Sequence, residues 1–338
     1  LASSRRSQSG RRTDARTRRI GVLALVLLTA LPPYRLTAQT SGALTMAGRL
    51  LRLHEADTSV LARHWVVAHR VGERAQGPVD SQRTDAAGRF RFVIARPESA
   101  TAYVVSSRWQ GIGYFSDPRQ SAGPAAPLEL AVFDTTATGP PLRLGMRHLV
   151  ITRGDAGAQR VLDIFQVENG QRATRVGSDS TAAVWTATLP DGIESPQAGE
   201  SDITASAIRF ERGRVSVAAP FPPGPKQIVI NYRLPAGIRR LDVPVDQPIA
   251  RLEILVEDSS ATASRDFTPD EPIAIEGRTF RRFSADSLAA GATPYLSFAA
   301  GGGRRRDWSW IATLFTALAL VGAKVYALRR RPGSAPAG

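Results

Sequence analysis

The chain has 338 residues, of which 43% are hydrophobic and 22% charged, and its formal net charge is +14. The length suffices for two domains of ordinary size, and the absence of cysteine excludes disulfides, thiolate nucleophiles and cysteine metal sites. The charge does not indicate a nucleic-acid partner. Residues 1–38 carry +7 and residues 304–338 carry +6, whereas residues 39–303 hold 29 basic and 28 acidic side chains, a net of +1.

The first predicted element is a secretory signal peptide over residues 1–38. An apolar run of twelve residues, 20–31, follows a cluster of arginines, and small residues precede a predicted cleavage point after Ala38. Twelve helical residues reach about 18 Å, which is too short for a hydrocarbon core of about 30 Å. An uncleaved N-terminal anchor is the alternative. In either case, we expect the residues that follow to be exported.

In the central part of the chain, apolar residues occur in short runs separated by turn residues, which predicts an all-β protein. A first domain is predicted over residues 43–117. Its strand candidates are 44–53, 64–71, 89–95 and 102–109. Within TDAAGRFRF, residues 84–92, Gly88 supplies the φ > 0 position of a turn, and Phe90 and Phe92 then share one face of a strand.

Three pieces in this order resemble the carboxypeptidase-regulatory-like family: an opening strand with Gly48-Arg49-Leu50, the strand 64–71, and the T-D-x-x-G-x-F-x-F stretch. The resemblance covers residues 43–117 and implies a transthyretin-like, seven-stranded β-sandwich. It also implies a non-catalytic accessory module of an exported protein, so it carries over no catalytic residue. Similar stretches occur in collagen-adhesin B-type and starch-binding-like modules.

An aromatic segment with two glycines, WQGIGYF at residues 109–115, ends the predicted first domain. One interpretation is an exposed platform for a sugar or a peptide, formed by Trp109, Tyr114 and Phe115. The other is a last strand whose aromatic side chains pack into the sandwich. These three residues are the candidate ligand or partner site.

A Pro/Gly/Ser-rich linker is predicted at 119–127, followed by a second β-sandwich domain at 128–257. Its strand candidates are 128–133, 142–152, 161–169, 181–189, 205–211, 214–218, 227–234 and 250–257. The sequence Glu211-Arg212-Gly213-Arg214 predicts a tight hairpin. The strand ends at 189–192 and 232–235 look like those of immunoglobulin-like sandwiches, which is an analogy at the level of the fold.

Residues 258–307 are predicted to be a juxtamembrane spacer of marginal order, followed by a transmembrane helix at 308–328 and a short cytoplasmic tail at 329–338. A helix of 21 residues is about 31 Å long, enough to span the bilayer. The predicted membrane anchors are Trp308, Trp310, Lys324, Tyr326, Arg329, Arg330 and Arg331. A buried core helix is the alternative. With an exported N-terminus, the chain is a single-pass protein of the cytoplasmic membrane with a periplasmic ectodomain.

We predict no catalytic, cofactor-binding or metal-binding residue. His64 and His69 are five residues apart on one predicted strand, so they lie on opposite faces and do not form a ligand pair. His54 and His148 stand alone in the sequence. Metalloprotease, nucleophile-elbow, P-loop and dinucleotide motifs are absent from the sequence. A loose acidic cluster over residues 257–271 is a weak calcium candidate, but such clusters are typical of solvated loops.

These observations favour a non-catalytic, membrane-anchored, extracytoplasmic scaffold or protein-interaction protein of the bacterial cell envelope. Its predicted contacts are the bilayer, through one helix, and an envelope protein or polysaccharide, but not nucleic acid. A carbohydrate- or peptidoglycan-binding module is the alternative. A hydrolase whose paired carboxylates meet only in space is a third hypothesis. No cofactor is predicted.

Overall fold

The computed structural model describes residues 42–54, 57–73, 75–120 and 126–299. These residues form β-strands and two 3-10 helices of three residues each, Asp155–Gly157 and Ala205–Ala207. The prediction of an all-β fold is therefore confirmed for this part of the chain.

Several predictions lie outside the described residues. They are the signal peptide at 1–38, the transmembrane helix at 308–328 with its anchors, the tail at 329–338 and most of the linker at 119–127. Within the described ranges, no helix is long and apolar enough to span a membrane.

Nine strands form two sheets in the N-terminal part: β1 (Leu44–His54), β2 (Asp57–Val60), β3 (Trp65–Val71), β4 (Gln76–Arg83), β5 (Arg89–Ile94), β6 (Ala102–Trp109), β7 (Ile112–Phe115), β8 (Arg119–Gln120) and β9 (Leu128–Phe133). In one sheet, β1 pairs antiparallel with β2 and β5 and parallel with β9. The other sheet has the order β4-β3-β6-β7, and β8 also pairs with β6.

The core between these two sheets follows the alternation predicted for β5. Phe90 and Phe92 are buried, whereas Arg89 is exposed on the other face. The preceding turn is also as predicted, since Gly88 has a φ of +71°. The Asp85 carboxylate closes this turn by accepting a hydrogen bond of 2.8 Å from the Arg89 amide.

The place of Leu128–Phe133 differs from the prediction. We expected this strand to open the second domain, but it pairs in parallel with Gly48–Leu53 of β1 and completes the first pair of sheets. Gly48 permits the approach, because a Cβ at this position would lie 2.1 Å from the Leu128 carbonyl oxygen. The apolar alternation of β9 fits either core, so the sequence pattern could not identify its partner.

The remaining strands follow in chain order: β10 (Thr135–Thr136), β11 (Arg143–Arg153), β12 (Gln159–Asn169), β13 (Thr174–Arg175), β14 (Trp185–Thr188), β15 (Glu194–Ala198), β16 (Ile208–Glu211), β17 (Arg214–Val217), β18 (Gly224–Leu234), β19 (Arg240–Asp242), β20 (Ile249–Val256), β21 (Thr262–Ala263), β22 (Thr268–Ile275), β23 (Arg278–Leu288) and β24 (Tyr295–Ser297).

A seven-stranded sheet with the order β15-β18-β12-β11-β20-β23-β22 dominates this part. One of its faces shares a single hydrophobic core with two three-stranded sheets, β14-β17-β16 and β19-β24-β21. The predicted tight hairpin joins β16 to β17. Arg212 and Gly213 both have positive φ, +49° and +73°, as a two-residue hairpin turn with a right-handed strand twist requires.

The expectation of marginal order after residue 257 was wrong for the described residues up to 299. β22 and β23 form one edge of the seven-stranded sheet, and Phe280 and Phe283 of β23 are buried. β22 resembles a loop in composition because it contains Pro269 and Pro272. Proline is tolerated in an edge strand, where its missing N–H faces away from the ladder.

Candidate interaction surface

The structure does not bring the three predicted platform residues onto one surface. Tyr114 is only 4% exposed, whereas its neighbour Phe115 is 64% exposed. The two side chains lie on opposite faces of β7 because side chains alternate along a strand. Trp109, at the end of β6, is half-buried. Of the three, only Phe115 presents most of its ring to solvent.

Trp109 belongs to a polar cluster around Asp134, which directly follows β9. We call this the Asp134 cluster: Arg52, His54, Trp109, Gln110 and Asp134. Arg52 donates from Nε and Nη2 to the two carboxylate oxygens at 3.0 and 2.7 Å, and Trp109 Nε1 donates at 2.9 Å. The Arg52 hydrogen bonds are the main reason that the pKa of Asp134 falls to about 2. Asp134 is therefore an anion at neutral pH that is already bound by protein donors.

The Trp109 ring is also engaged by its neighbours. The Arg52 guanidinium carbon lies 5.2 Å from the ring centroid, and the His64 ring contacts it edge-on at 5.7 Å between centroids. A stacked sugar requires a free aromatic face, so this geometry favours a packing role for Trp109.

Tyr114 connects the first pair of sheets to the rest of the chain. Its hydroxyl donates to the Phe133 carbonyl at 2.9 Å and lies 2.8 Å from Thr174 Oγ1 on β13. Burial raises the pKa of Tyr114. The Thr174 amide also donates to the Asp134 carbonyl at 2.8 Å. Tyr114 and Asp134 therefore both stabilise the contact between the end of β9 and β13.

Phe115 lies on a surface that the sequence did not single out, the outward side of the β4-β3-β6-β7 sheet. We call it the β3 face: Trp65, Val67, His69, Val71, Arg83, Val104, Arg108 and Phe115. The residues that alternate with these on β3 and β6 point to the inner side of the sheet, where most are buried and Arg70 and Trp109 are half-buried. Trp65 and Val71, at the two ends of β3, are 52% and 47% exposed, and the outward residues Val67 and His69 between them are half-buried. Contiguous exposed apolar surface is characteristic of interaction sites.

The middle of the β3 face is ordered by contacts between strands. Phe115 pairs with Ser106 on β6, and His69 Nε2 lies 2.7 Å from Ser106 Oγ. The His69 and Phe115 rings are 6.1 Å apart between centroids. These contacts link β3, β6 and β7 and fix the orientation of the exposed ring.

The charge on the β3 face is basic and lies at one end. The Arg83 guanidinium carbon lies 4.9 Å from the centroid of the Trp65 ring, and Arg108 is exposed on β6. Neither guanidinium has a carboxylate partner within the described ranges, and no Asp or Glu occupies an outward position of these four strands. Asp80 on β4 pairs with Ala68, which points inward. The face therefore combines apolar surface with unpaired positive charge.

The edges of the sheets are less suited to binding a strand. Pro78, Pro196 and Pro269 interrupt the edge strands β4, β15 and β22, and each of these strands has a register shift. On β5, the Gln82 side chain hydrogen-bonds to the backbone of Arg91. It accepts from the Arg91 N–H at 3.3 Å and donates to the Arg91 carbonyl at 2.6 Å. Binding by strand addition is thus blocked at these four edges.

A second buried polar group lies in the larger core. Arg147 donates to Asp163 from Nε and Nη2 at 2.9 and 2.7 Å and to the Pro244 carbonyl at 2.8 Å. Tyr232 donates to Asp163 at 3.1 Å, and burial raises the pKa of Tyr232 well above its usual value. Arg147 and Asp163 are 1% and 0% exposed, so no substrate reaches them. Their role is structural.

The histidines form no common site. His64 and His69 point to opposite sides of the β3 sheet, as predicted, and His54 belongs to the Asp134 cluster. His148 contacts Met146 Sδ and lies 3.3 Å from Glu253, whose pKa is lowered mainly by this hydrogen bond. Among the described residues, no group of three or more His, Asp or Glu is placed to bind a metal.

The sequence of β3 itself contains a signal for the β3 face. In WVVAHRV, residues 65–71, apolar side chains occupy both faces of the strand. A strand at the surface of an antiparallel sandwich normally alternates between apolar and polar residues. Apolar character on both faces of β3 therefore departs from this pattern and marks its outward face in the sequence.

Comparisons with known proteins give weak likenesses. No protein-family model matches the chain, and no curated protein matches it. Among solved structures, the chain is similar to an M1 zinc metallopeptidase from Deinococcus radiodurans, with 13% identity and a TM-score of 0.31 over 47% of this chain and 42% of that chain. It is also similar to the major pilin subunit of Bacillus cereus, with 12% identity and a TM-score of 0.17 over 75% and 87% of the two chains.

These scores carry no argument about activity or assembly, and the chain spans about two fifths of the length of the peptidase it matches. The class that the described fold defines is an all-β protein with sandwich-like packing of several sheets.

Proposed function

We propose that this chain is a non-catalytic protein-interaction module, exported and anchored in the cytoplasmic membrane of a bacterial envelope. The observation that carries the interaction role is the β3 face, where Phe115, Trp65 and Val71 are about half exposed or more. Leaving these rings and methyl groups in water costs about 25 cal/mol per Å², and a bound partner would recover that free energy.

The module proposed to present this face is a carboxypeptidase-regulatory-like sandwich. The turn at Gly88, the buried pair Phe90 and Phe92, and the two facing sheets support this assignment. Strand β9 extends the module to Phe133, beyond the boundary expected from the sequence. An immunoglobulin-like character of the later sheets is part of the same proposal, as are the signal peptide and the transmembrane helix.

Site-specific photo-crosslinking in intact cells tests the interaction role. A photoreactive phenylalanine analogue replaces Phe115 in one variant and Val93 in the other, because Val93 is 52% exposed on the opposite sheet. We expect position 115 to give a discrete adduct with an envelope protein and position 93 to give none. Absence of an adduct at 115, or the same adducts from both positions, would contradict the proposal.

Membrane anchoring is tested in the same cells. We expect the full chain to fractionate with membranes and a variant that lacks residues 308–338 to be released into the periplasm. In spheroplasts, protease should remove the region 43–299 and leave a C-terminal tag intact. Retention of the shortened chain in membranes would refute the anchor.

A further inference from the structure

The two ends of the β3 face differ in charge. Trp65 lies at the basic end between Arg83 and Arg108, and Val71 lies at the other end of the same strand. Six residue steps at about 3.3 Å separate these ends by about 20 Å. Between them lie Val67, His69, Val104 and Phe115. An occupant that covers this face must therefore supply apolar groups along its length and negative charge at one end.

The chemistry of the face selects among classes of occupant. A polyuronic acid chain would neutralise Arg83 and Arg108 but has no apolar side chains to cover Val71 and Phe115. A second copy of this chain, packed face to face on the β3 face, would place its own arginines against apolar side chains. A polypeptide with alternating acidic and apolar residues meets both demands, because its carboxylates can form bidentate pairs with guanidinium groups while its apolar side chains pack on the valines.

We propose that the β3 face binds an acidic polypeptide segment that carries aromatic or aliphatic side chains. This inference rests on the proposed interaction function and names the chemistry of its partner. The carboxylates lie against Arg83 and Arg108, and an apolar side chain covers Phe115. Because strand addition is blocked at the β4 edge of this sheet, the segment lies across the face and adds no strand there.

A defined copolymer tests this directly. The full chain is held in phosphatidylcholine nanodiscs, and binding of fluorescent poly(Glu,Tyr) is followed by anisotropy. Poly-glutamate supplies the charge without apolar groups, and poly(Lys,Tyr) reverses the charge. We expect poly(Glu,Tyr) to bind at least tenfold more tightly than either, with an affinity that falls as NaCl is raised because the exposed ion pairs are screened.

Matched variants locate the site. Phe115→Ser and the double variant Arg83→Glu/Arg108→Glu should each weaken binding at least tenfold. Val93→Ser and Arg91→Glu are control changes on the outward side of β5, where both residues are exposed: an apolar-to-serine substitution and a single charge reversal. Both should leave the affinity within twofold. Circular dichroism and thermal unfolding establish that all variants remain folded.

Other outcomes would overturn the proposal. Absence of poly(Glu,Tyr) binding, equal binding of poly-glutamate, or equal losses in the β5 variants would each do so. Competition by polygalacturonate that depends on Phe115 would assign the face to a polysaccharide, and competition by phosphatidylglycerol nanodiscs would assign it to the bilayer. An adduct at position 115 in cells without copolymer binding would preserve the interaction function and reject the acidic partner.

Discussion

Arg52 and Asp134 lie 82 residues apart in the chain and form a bidentate ion pair, with Nε–Oδ1 at 3.0 Å and Nη2–Oδ2 at 2.7 Å. The pair joins β1 to the segment that leaves β9. Because the Asp134 carbonyl also accepts from the Thr174 amide, one residue fixes the first two sheets and their connection to β13. The stability of this junction should therefore depend on the charge of Asp134.

We expect Asp134→Asn to lower the free energy of unfolding at pH 7 by about 1–3 kcal/mol, because hydrogen bonds to a charged group are lost. The pKa of Asp134 is lowered from 3.8 to about 2, so its contribution is present above the unfolded pKa and is lost as the pH falls through the folded pKa. Urea titrations between pH 7 and pH 2 should show the wild type and the variant converging below pH 4. A constant difference across this range would contradict the assignment.

We expect Arg147→Met to lower the free energy of unfolding by about 3–5 kcal/mol, because Asp163 would remain buried without its partner. The triple variant Arg147→Met/Asp163→Leu/Tyr232→Phe removes the polar groups together and should recover most of this loss. Urea denaturation followed by circular dichroism measures both. A triple variant as unstable as the single one would show that the ion pair itself supplies the stability.

We expect Gly48→Ala to destabilise the protein by about 1–3 kcal/mol or more, because the added methyl group meets the Leu128 carbonyl oxygen across the β1–β9 ladder. Gly145→Ala on β11 is the matched control, since the nearest atom to its Cβ would be 3.8 Å away. Thermal unfolding of the two variants compares them. Equal stability would argue against the parallel pairing of β9 with β1.

We expect Phe92→Ala to cost about 3–5 kcal/mol, because Phe92 is fully buried between the first two sheets. Phe115→Ala should change stability by no more than about 0.5 kcal/mol, because its ring is 64% exposed. Chemical denaturation of both variants tests the orientation of the β3 face. A large loss for Phe115→Ala would indicate that the ring is covered within the chain itself.

Strands with a strong local pattern were predictable. The bounds of β6 and β9 agree with the sequence prediction, and the turns at Gly88 and Gly213 follow from residues that favour positive φ. Strands such as β4 and β22 were missed because their side chains are mostly exposed and prolines interrupt them. An exposed edge strand needs no apolar alternation, so periodicity alone does not reveal it.

The site was less predictable than the strands. The segment WQGIGYF was expected to be an aromatic platform or one last strand, but it forms the hairpin between β6 and β7, and its side chains go to three different environments. Trp109 joins the Asp134 cluster, Tyr114 enters the core and Phe115 faces solvent. Adjacent residues on a strand point in opposite directions, and which direction is inward depends on the sheet that packs against them.

The sequence by itself determined the all-β class, the alternation of Phe90 and Phe92, and the near-neutral charge of the region between its basic ends. These properties depend on composition and on neighbours along the chain. Only the tertiary structure decided that β9 pairs with β1, that Arg52 meets Asp134, and that the exposed apolar surface lies on β3. Such contacts join residues far apart in the chain, and their energies depend on distance and burial, which no local pattern encodes.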